Sequence, residues 1–294
     1  MAKIMFPKAA LALMQNMRQS NANDSSDGGS SFTTDDRCDS SISPSKDGSF
    51  QYPRTQKEEE CLRKLKEECR LANISASDIT IFRFACFHDF NFDVARPAMI
   101  AKYNDPRLHL RMDDELLDQF QNKVIFPLPG LRTKNMKHEV LYFYACRHFP
   151  ATMDTDLLLR NMTYILNDMS LTEQQCRNGV VMIIDLNHFT FKNFTPESSN
   201  KFFEALQQVP TKVETTIILN GPRWFPKVYR HLFKKMLSKE NARRVLILKQ
   251  PQQLQNHLMD GCEKYLPVEM GYWVDSTEIV EDFVDWKRYN EFSQ

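Results

Sequence analysis

Hydrophobic and polar positions change period repeatedly along this chain, and the changes mark its elements. Glu58 to Leu71 carries Cys61, Leu62, Leu65 and Cys69 at helical spacing. Ser77 and Asp78 sit where an N-cap belongs, ahead of Ile79, Ile81, Phe82 and Phe84. Asp93 to Tyr103 predicts a further helix, so 55–125 reads as a small helical lobe. Pro127, Pro129 and Gly130 read as a loop. Beyond them Val140–Cys146, Val180–Leu186, Thr215–Leu219 and Val245–Leu248 are short, β-branched or aromatic strands. Helical patterns fall between or after these strands: Asp154–Met169, Pro196–Val209 and Gln252–Tyr265. Strands alternating with helices predict an α/β layer of mainly parallel strands over 126–275.

One segment has a two-sided pattern. Trp224, Phe225, Val228, Tyr229, Leu232, Phe233, Met236 and Leu237 share one face of a 3.6-residue helix. Arg223, Lys227, Arg230, His231, Lys234 and Lys235 fall elsewhere on it. Periodicity alone admits two readings: an ordinary amphipathic helix covering a sheet, or a movable lid over an apolar cavity with a basic side for a membrane or phosphate.

Charge sharpens this picture. Lys plus Arg and Asp plus Glu are 38 each, so no global basic field argues for nucleic acid. Between Lys212 and Lys249, however, ten Lys and Arg face two Glu, a local excess that fits anionic lipid or a phosphate group better than duplex DNA. From Asp275 on the balance reverses, and 276–294 reads as an acidic tail. Residues 1–54 read as a disordered leader, because Ser20 to Ser49 is too poor in aliphatics to offset chain entropy. Leader and tail are the segments expected to meet any protein partner. The Cys residues number seven, an odd count, and occur singly, which predicts reduced thiols and a cytoplasmic protein. No run approaches the ~18 apolar residues of a membrane span. The sequons at Asn23, Asn73, Asn161 and Asn193 read as unused.

No catalytic constellation emerges. His88-Asp89, His148 and Asp185–His188 are isolated titratable groups, the His residues lack metal-ligand spacing, and no Gly-rich phosphate loop occurs. No enzymatic activity, metal or cofactor is therefore expected. The 21 Phe and 14 Met suit instead an adaptable pocket for an apolar guest.

Six stretches in order resemble the CRAL-TRIO family of lipid-binding proteins, over roughly Lys57 to Asp275. They are Arg83-Phe84 with Phe90 and Ala95; Asn178-Gly179 ahead of MIIDL; Ile218 to Pro222 (ILNGP); Phe233-Lys234 with Leu237; Lys239; and Leu266-Pro267 with Glu269 and Gly271. RNGVVMIIDL, GPRWF and ARRVLILK are also similar to the lipid-binding module of vesicle-associated non-receptor tyrosine phosphatases. The HCxxGxxR catalytic loop of such phosphatases is absent from these residues. The resemblance implies an N-terminal helical lobe, a lipid-binding domain with a mobile lid helix, and a bound lipid or other hydrophobic ligand. The family's basic run, which helps hold the headgroup phosphate in its phosphatidylinositol-transfer members, is CFHD here, Cys86 to Asp89. Only Lys234 matches the family's phosphate-holding lysine, and the inositol-binding Glu has no clear equivalent, Asn200 lying near that register.

The expected pocket lining is Tyr142, Tyr144, Met182, Ile184, Leu186, Phe189, Ile217, Leu219, Trp224, Phe225, Val228, Leu232, Phe233 and Met236. Strand alternation leaves the inward parity open. Arg223, Lys227, Arg230, Lys234 and Lys235 are expected at a headgroup or membrane surface. The expected function is binding of a single lipid in a closed apolar pocket and its exchange at vesicle or endosomal membranes, with a phosphoinositide link. The alternative is a regulatory adaptor that recognises phosphoinositide membranes or a protein partner and transfers nothing.

Overall fold

A computed structural model describes residues 54–105, 109–230 and 242–292. Residues 1–53 lie outside them, so almost all of the expected leader is not addressed, and neither are Leu232, Phe233, Lys234, Lys235 and Met236.

Three helices open the described residues: α1 (Gln56–Leu71), α2 (Asp78–Phe87) and α3 (Phe92–Lys102). Thr55 and Glu58 form a capping box at α1, and the Ser77 side chain caps α2. Their apolar faces close on Leu65, Phe82, Phe84, Ala95 and Met99 as a small core of their own. Two arginines fasten this lobe to the sheet domain. Arg83, from the RF motif, is 7% exposed and donates to Asn167 Oδ1 at 3.2 Å. Arg177 makes a two-pronged pair with Glu58 at 2.6 and 3.1 Å and lies over the rings of Phe82 and Phe90.

After α4 (Asp114–Gln121) comes the sheet, β1 (Ile125–Arg132), β2 (Glu139–Tyr144), β3 (Val180–Asp185), β4 (Val213–Leu219) and β5 (Val245–Ile247), in spatial order β1-β2-β3-β4-β5. β2 to β5 are parallel, as the alternating pattern predicts, and β1 pairs antiparallel at the edge. The loop expected at Pro127–Gly130 is thus a strand. Edge strands tolerate proline because one row of N–H groups needs no partner. The register slips between Pro127 and Arg132, where Pro129 and Gly130 are exposed.

Helices α5 (Thr155–Asp168) and α6 (Glu173–Asn178) join β2 to β3, and α7 (Pro196–Gln208) joins β3 to β4. α8 (Phe225–Val228) follows β4, and α9 (Ser276–Phe292) closes the described chain. Two further expectations change. Gln252–Tyr265 is not an α-helix but two short 3-10 turns, 251–256 and 262–264, with Leu254 and Cys262 on them and Leu258 between them buried. Residues 276–292 are not a free acidic tail. Ile279, Val280, Phe283 and Val284 of α9 are buried, and Phe283 packs on Phe120 of α4 at 5.3 Å. The acidic residues occupy the outer side of an amphipathic helix, which a count of charges hides.

Gly179 lies between α6 and β3 with φ 69° and ψ −166°, a region only glycine enters freely. A Cβ there would meet the Lys212 carbonyl oxygen at 2.5 Å, because the Val180 N–H already bonds that oxygen at 2.8 Å. Gly179→Ala is expected to cost about 2–3 kcal/mol from strain and forced separation of β3 from β4. Urea denaturation measures it, and a cost below about 0.5 kcal/mol would rule out that account.

Candidate functional site: a cavity on one face of the sheet

Strand order decides where helices go. Sequential parallel strands joined by right-handed crossovers place the crossover helices on one face. Between that face and α5, α7 and α8 lies a cavity of about 350 Å³. Its floor is one parity of the strands: Phe143 of β2, Met182 and Ile184 of β3, Thr216 and Ile218 of β4, and Val245 of β5. Leu158 and Leu159 of α5, Phe202, Phe203 and Leu206 of α7, and Phe225 with Tyr229 form its walls. Phe143 and Phe202 stack at 5.4 Å, tying floor to wall.

The cavity's polar groups sit toward two ends of the strands. At the amino-terminal end of β4 are Thr211 and Lys212, with Phe87 and Asp89 from the helical lobe and Arg244 before β5. Both cations have carboxylates beside them: Lys212 Nζ lies 3.1 Å from Asp89 Oδ1, and Arg244 lies 3.6 Å from Glu214. At the carboxyl ends are His148, Thr155, Asn193, Ser198 and Tyr229. Burial holds the His148 imidazole down to about 4, so it is neutral at physiological pH.

Among the expected lining residues, Met182, Ile184, Leu186, Phe189 and Phe225 surround this cavity. Tyr142, Tyr144, Ile217 and Leu219 do not. Cross-strand register pairs Tyr142 with Ile183 and Ile217, and Tyr144 with Asp185 and Leu219, so all four occupy the opposite face. Trp224 and Val228 are also outside the lining. Trp224 stacks on Phe191 at 4.4 Å, and Val228 is buried beside the cavity wall rather than in it. Arg223, Lys227 and Arg230 are exposed around α8. The lining that sequence reasoning missed lies on α5 and α7, on the strands at Phe143, Thr216, Ile218 and Val245, and at His148 and Tyr229. The Phe202-Phe203 pair on a helix with Leu206 was the available sign.

The opposite face explains why several motif residues are where they are. Asp185 is fully buried at the end of β3. Its Oδ1 accepts from the Asn187 N–H at 2.8 Å and Asn220 Nδ2 at 2.9 Å, and its Oδ2 accepts from Tyr142 Oη at 3.0 Å. Burial pushes its carboxyl above the ordinary range, against those three bonds, and nearby Glu269 adds to the rise. Glu269 accepts from Arg147 at 3.0 Å and from Ser276 at 2.5 Å. Asp185 of MIIDL, Asn220 of ILNGP and Glu269 of LPVEMG therefore meet in one cluster. Asn220, at φ 52°, starts the turn into α8, so this cluster aims Phe225 and Tyr229 at the cavity.

Comparison with known proteins agrees with this architecture. Residues 122–271 match the model of the CRAL/TRIO domain. The mouse (Mus musculus) protein tyrosine-protein phosphatase non-receptor type 9 is 24% identical over 136 residues, 46% of this chain, and the chain spans only 22% of that protein's length. The crystal structure of Sfh5 superposes with a TM-score of 0.56 at 13% identity, covering 82% of this chain and all of that one, a likeness of fold alone. With half its length matched, from the approach to β1 through the Glu269 turn, the chain belongs to the CRAL/TRIO family of lipid-binding domains.

Proposed function

We propose that this protein holds a single lipid, or another elongated hydrophobic molecule, in the cavity between sheet and helices, and exchanges it at anionic membranes. The observation that carries the reading is the cavity itself. About 350 Å³ is bounded by aromatic and aliphatic side chains of four strands and three helices, in a domain whose family binds lipids. Each buried methylene contributes about 0.8 kcal/mol, so an apolar guest can be held without polar anchoring along most of its length. Native mass spectrometry of the full chain, with extraction of whatever it carries, tests this directly. One lipid per chain supports it. A chain that stays empty after incubation with mixed-lipid vesicles overturns it and leaves the adaptor reading.

Membrane contact is assigned to the surface around α8, where Arg223, Lys227 and Arg230 are exposed beside the helix that walls the cavity. Cytoplasmic vesicle or endosomal membranes, phosphoinositide-bearing ones included, fit such a surface. Each cation near an anionic bilayer contributes about 1 kcal/mol. Charge reversal of all three to Glu is expected to lower partition onto phosphatidylserine vesicles by at least roughly a hundredfold. Wild-type binding should weaken as salt rises. Salt-insensitive binding, or full binding by the triple variant, rejects this surface. The cations at the cavity's other end, Lys212 and Arg244, already have Asp89 and Glu214 beside them, which argues against strong selection of a phosphoinositide headgroup there.

A further inference from the structure

Two polar atoms in the cavity lining have no hydrogen-bond partner among the described residues: His148 Nδ1 and Tyr229 Oη. Both are buried from water, and His148 as a whole is 5% exposed. A buried polar atom left unpaired is costly, and a cavity lined by two of them is shaped for a guest that pairs them. The site around His148 is held in place. Asn193 Nδ2 donates to the carbonyls of Cys146 and His148 at 2.6 and 3.1 Å, fixing the turn after β2. The other ring nitrogen, Nε2, lies 3.5 Å from Thr155 Oγ1, so Nδ1 is the ring nitrogen left unpaired in this cavity-lining residue.

We infer that the carboxyl end of the cavity is a polar subsite, formed by His148 and Tyr229, for an uncharged hydroxyl group carried on an otherwise apolar ligand. The inference rests on the cavity being the ligand chamber. A hydroxyl both donates and accepts, so it satisfies Nδ1 in either tautomer of the ring and also satisfies the tyrosine. A carboxylate does not fit. His148 is neutral, and among the described residues the lining at this end holds no cation to offset a buried charge.

The test is displacement of a fluorescent apolar probe from the full chain by hexadecan-1-ol, its methyl ether and palmitate. The variants are wild type, Tyr229→Phe, His148→Phe and the double variant. Tyr229→Phe removes one oxygen, and because that oxygen is unpaired in the empty protein, its melting temperature should be unchanged or raised. The alcohol-over-ether preference of wild type should fall by roughly three- to tenfold in each single variant and further in the double. Palmitate should bind wild type more weakly than the alcohol. Equal alcohol-over-ether ratios in wild type and double variant, or palmitate as the tightest ligand, overturn the subsite while leaving the cavity reading intact. Failure of every compound to displace the probe from any variant removes both.

Discussion

Ser199→Trp is expected to empty the cavity while keeping the fold. Ser199 lies on α7, faces the cavity and is half-buried. Its backbone N–H bonds Thr195, and that bond survives any side-chain change. A helical turn further on, Phe202 and Phe203 already wall the same space, so an indole at position 199 has apolar neighbours to lie against. Filling empty apolar volume generally leaves stability unchanged or raises it. The same ring takes room that a guest needs. Excluding three or four methylenes at about 0.8 kcal/mol each costs the guest about 3 kcal/mol, or on the order of a hundredfold in affinity. Ser199→Ala is the control and should load as wild type does. Loading is read by native mass spectrometry and the fold by thermal unfolding. A folded Ser199→Trp protein with normal lipid occupancy would show that the cavity is not where the lipid sits.

Much of this architecture is legible in the amino-acid pattern alone. The four parallel strands and their intervening helices follow from short β-branched runs alternating with amphipathic ones. The features that stay hidden have definite physical causes. Both faces of β2, β3 and the carboxyl half of β4 are covered, so residues 140–144, 180–184 and 217–219 are apolar throughout and carry no alternation to mark the cavity side. Tyr142 and Phe143 look alike as sequence, and only the helices packed above decide between them. The proline-containing edge strand β1 uses the one place in a sheet where a missing donor goes unnoticed. α9 hides because its charges outnumber its buried residues. The motifs themselves mark scaffold more than site. Arg83 bolts the helical lobe to α5, while Asp185, Asn220 and Glu269 meet behind the sheet. Met182, Ile184 and Ile218 of the cavity floor do lie within MIIDL and ILNGP, but Leu158, Phe202 and Tyr229 of its walls belong to none of the six motif stretches.

Asp185→Leu is expected to destabilise the protein by about 4 kcal/mol or more, whereas Asp185→Asn is nearly tolerated. Leucine strips the acceptor from three buried donors, Tyr142 Oη, Asn220 Nδ2 and the Asn187 N–H, each costing about 1–3 kcal/mol when left unpaired. Asparagine can keep the geometry. Its carbonyl oxygen takes the place of Oδ1, which accepts from both Asn187 and Asn220, and its amide donates to Tyr142 Oη in place of Oδ2. The tyrosine's own proton then loses its acceptor, a cost of about 1 kcal/mol. The two variants also differ from wild type in their response to pH. Burial raises the folded-state pKa of Asp185 above its unfolded value, so the protonated carboxyl is the form the fold accommodates better. That contribution is complete below the unfolded pKa, about 3.9, and is lost as pH rises through the folded-state pKa. Asparagine has no proton to lose. The stability of Asp185→Asn relative to wild type should therefore rise with pH from the ordinary carboxylate range upward and level off once Asp185 is ionised in the fold. Urea unfolding of wild type and both variants at a series of pH values measures it. A difference between Asn and wild type that is flat or falls with pH would show that the three hydrogen bonds outweigh burial. Asp185→Leu should lose lipid loading along with stability, because the turn from Asn220 into α8 sets where Phe225 and Tyr229 stand against the guest.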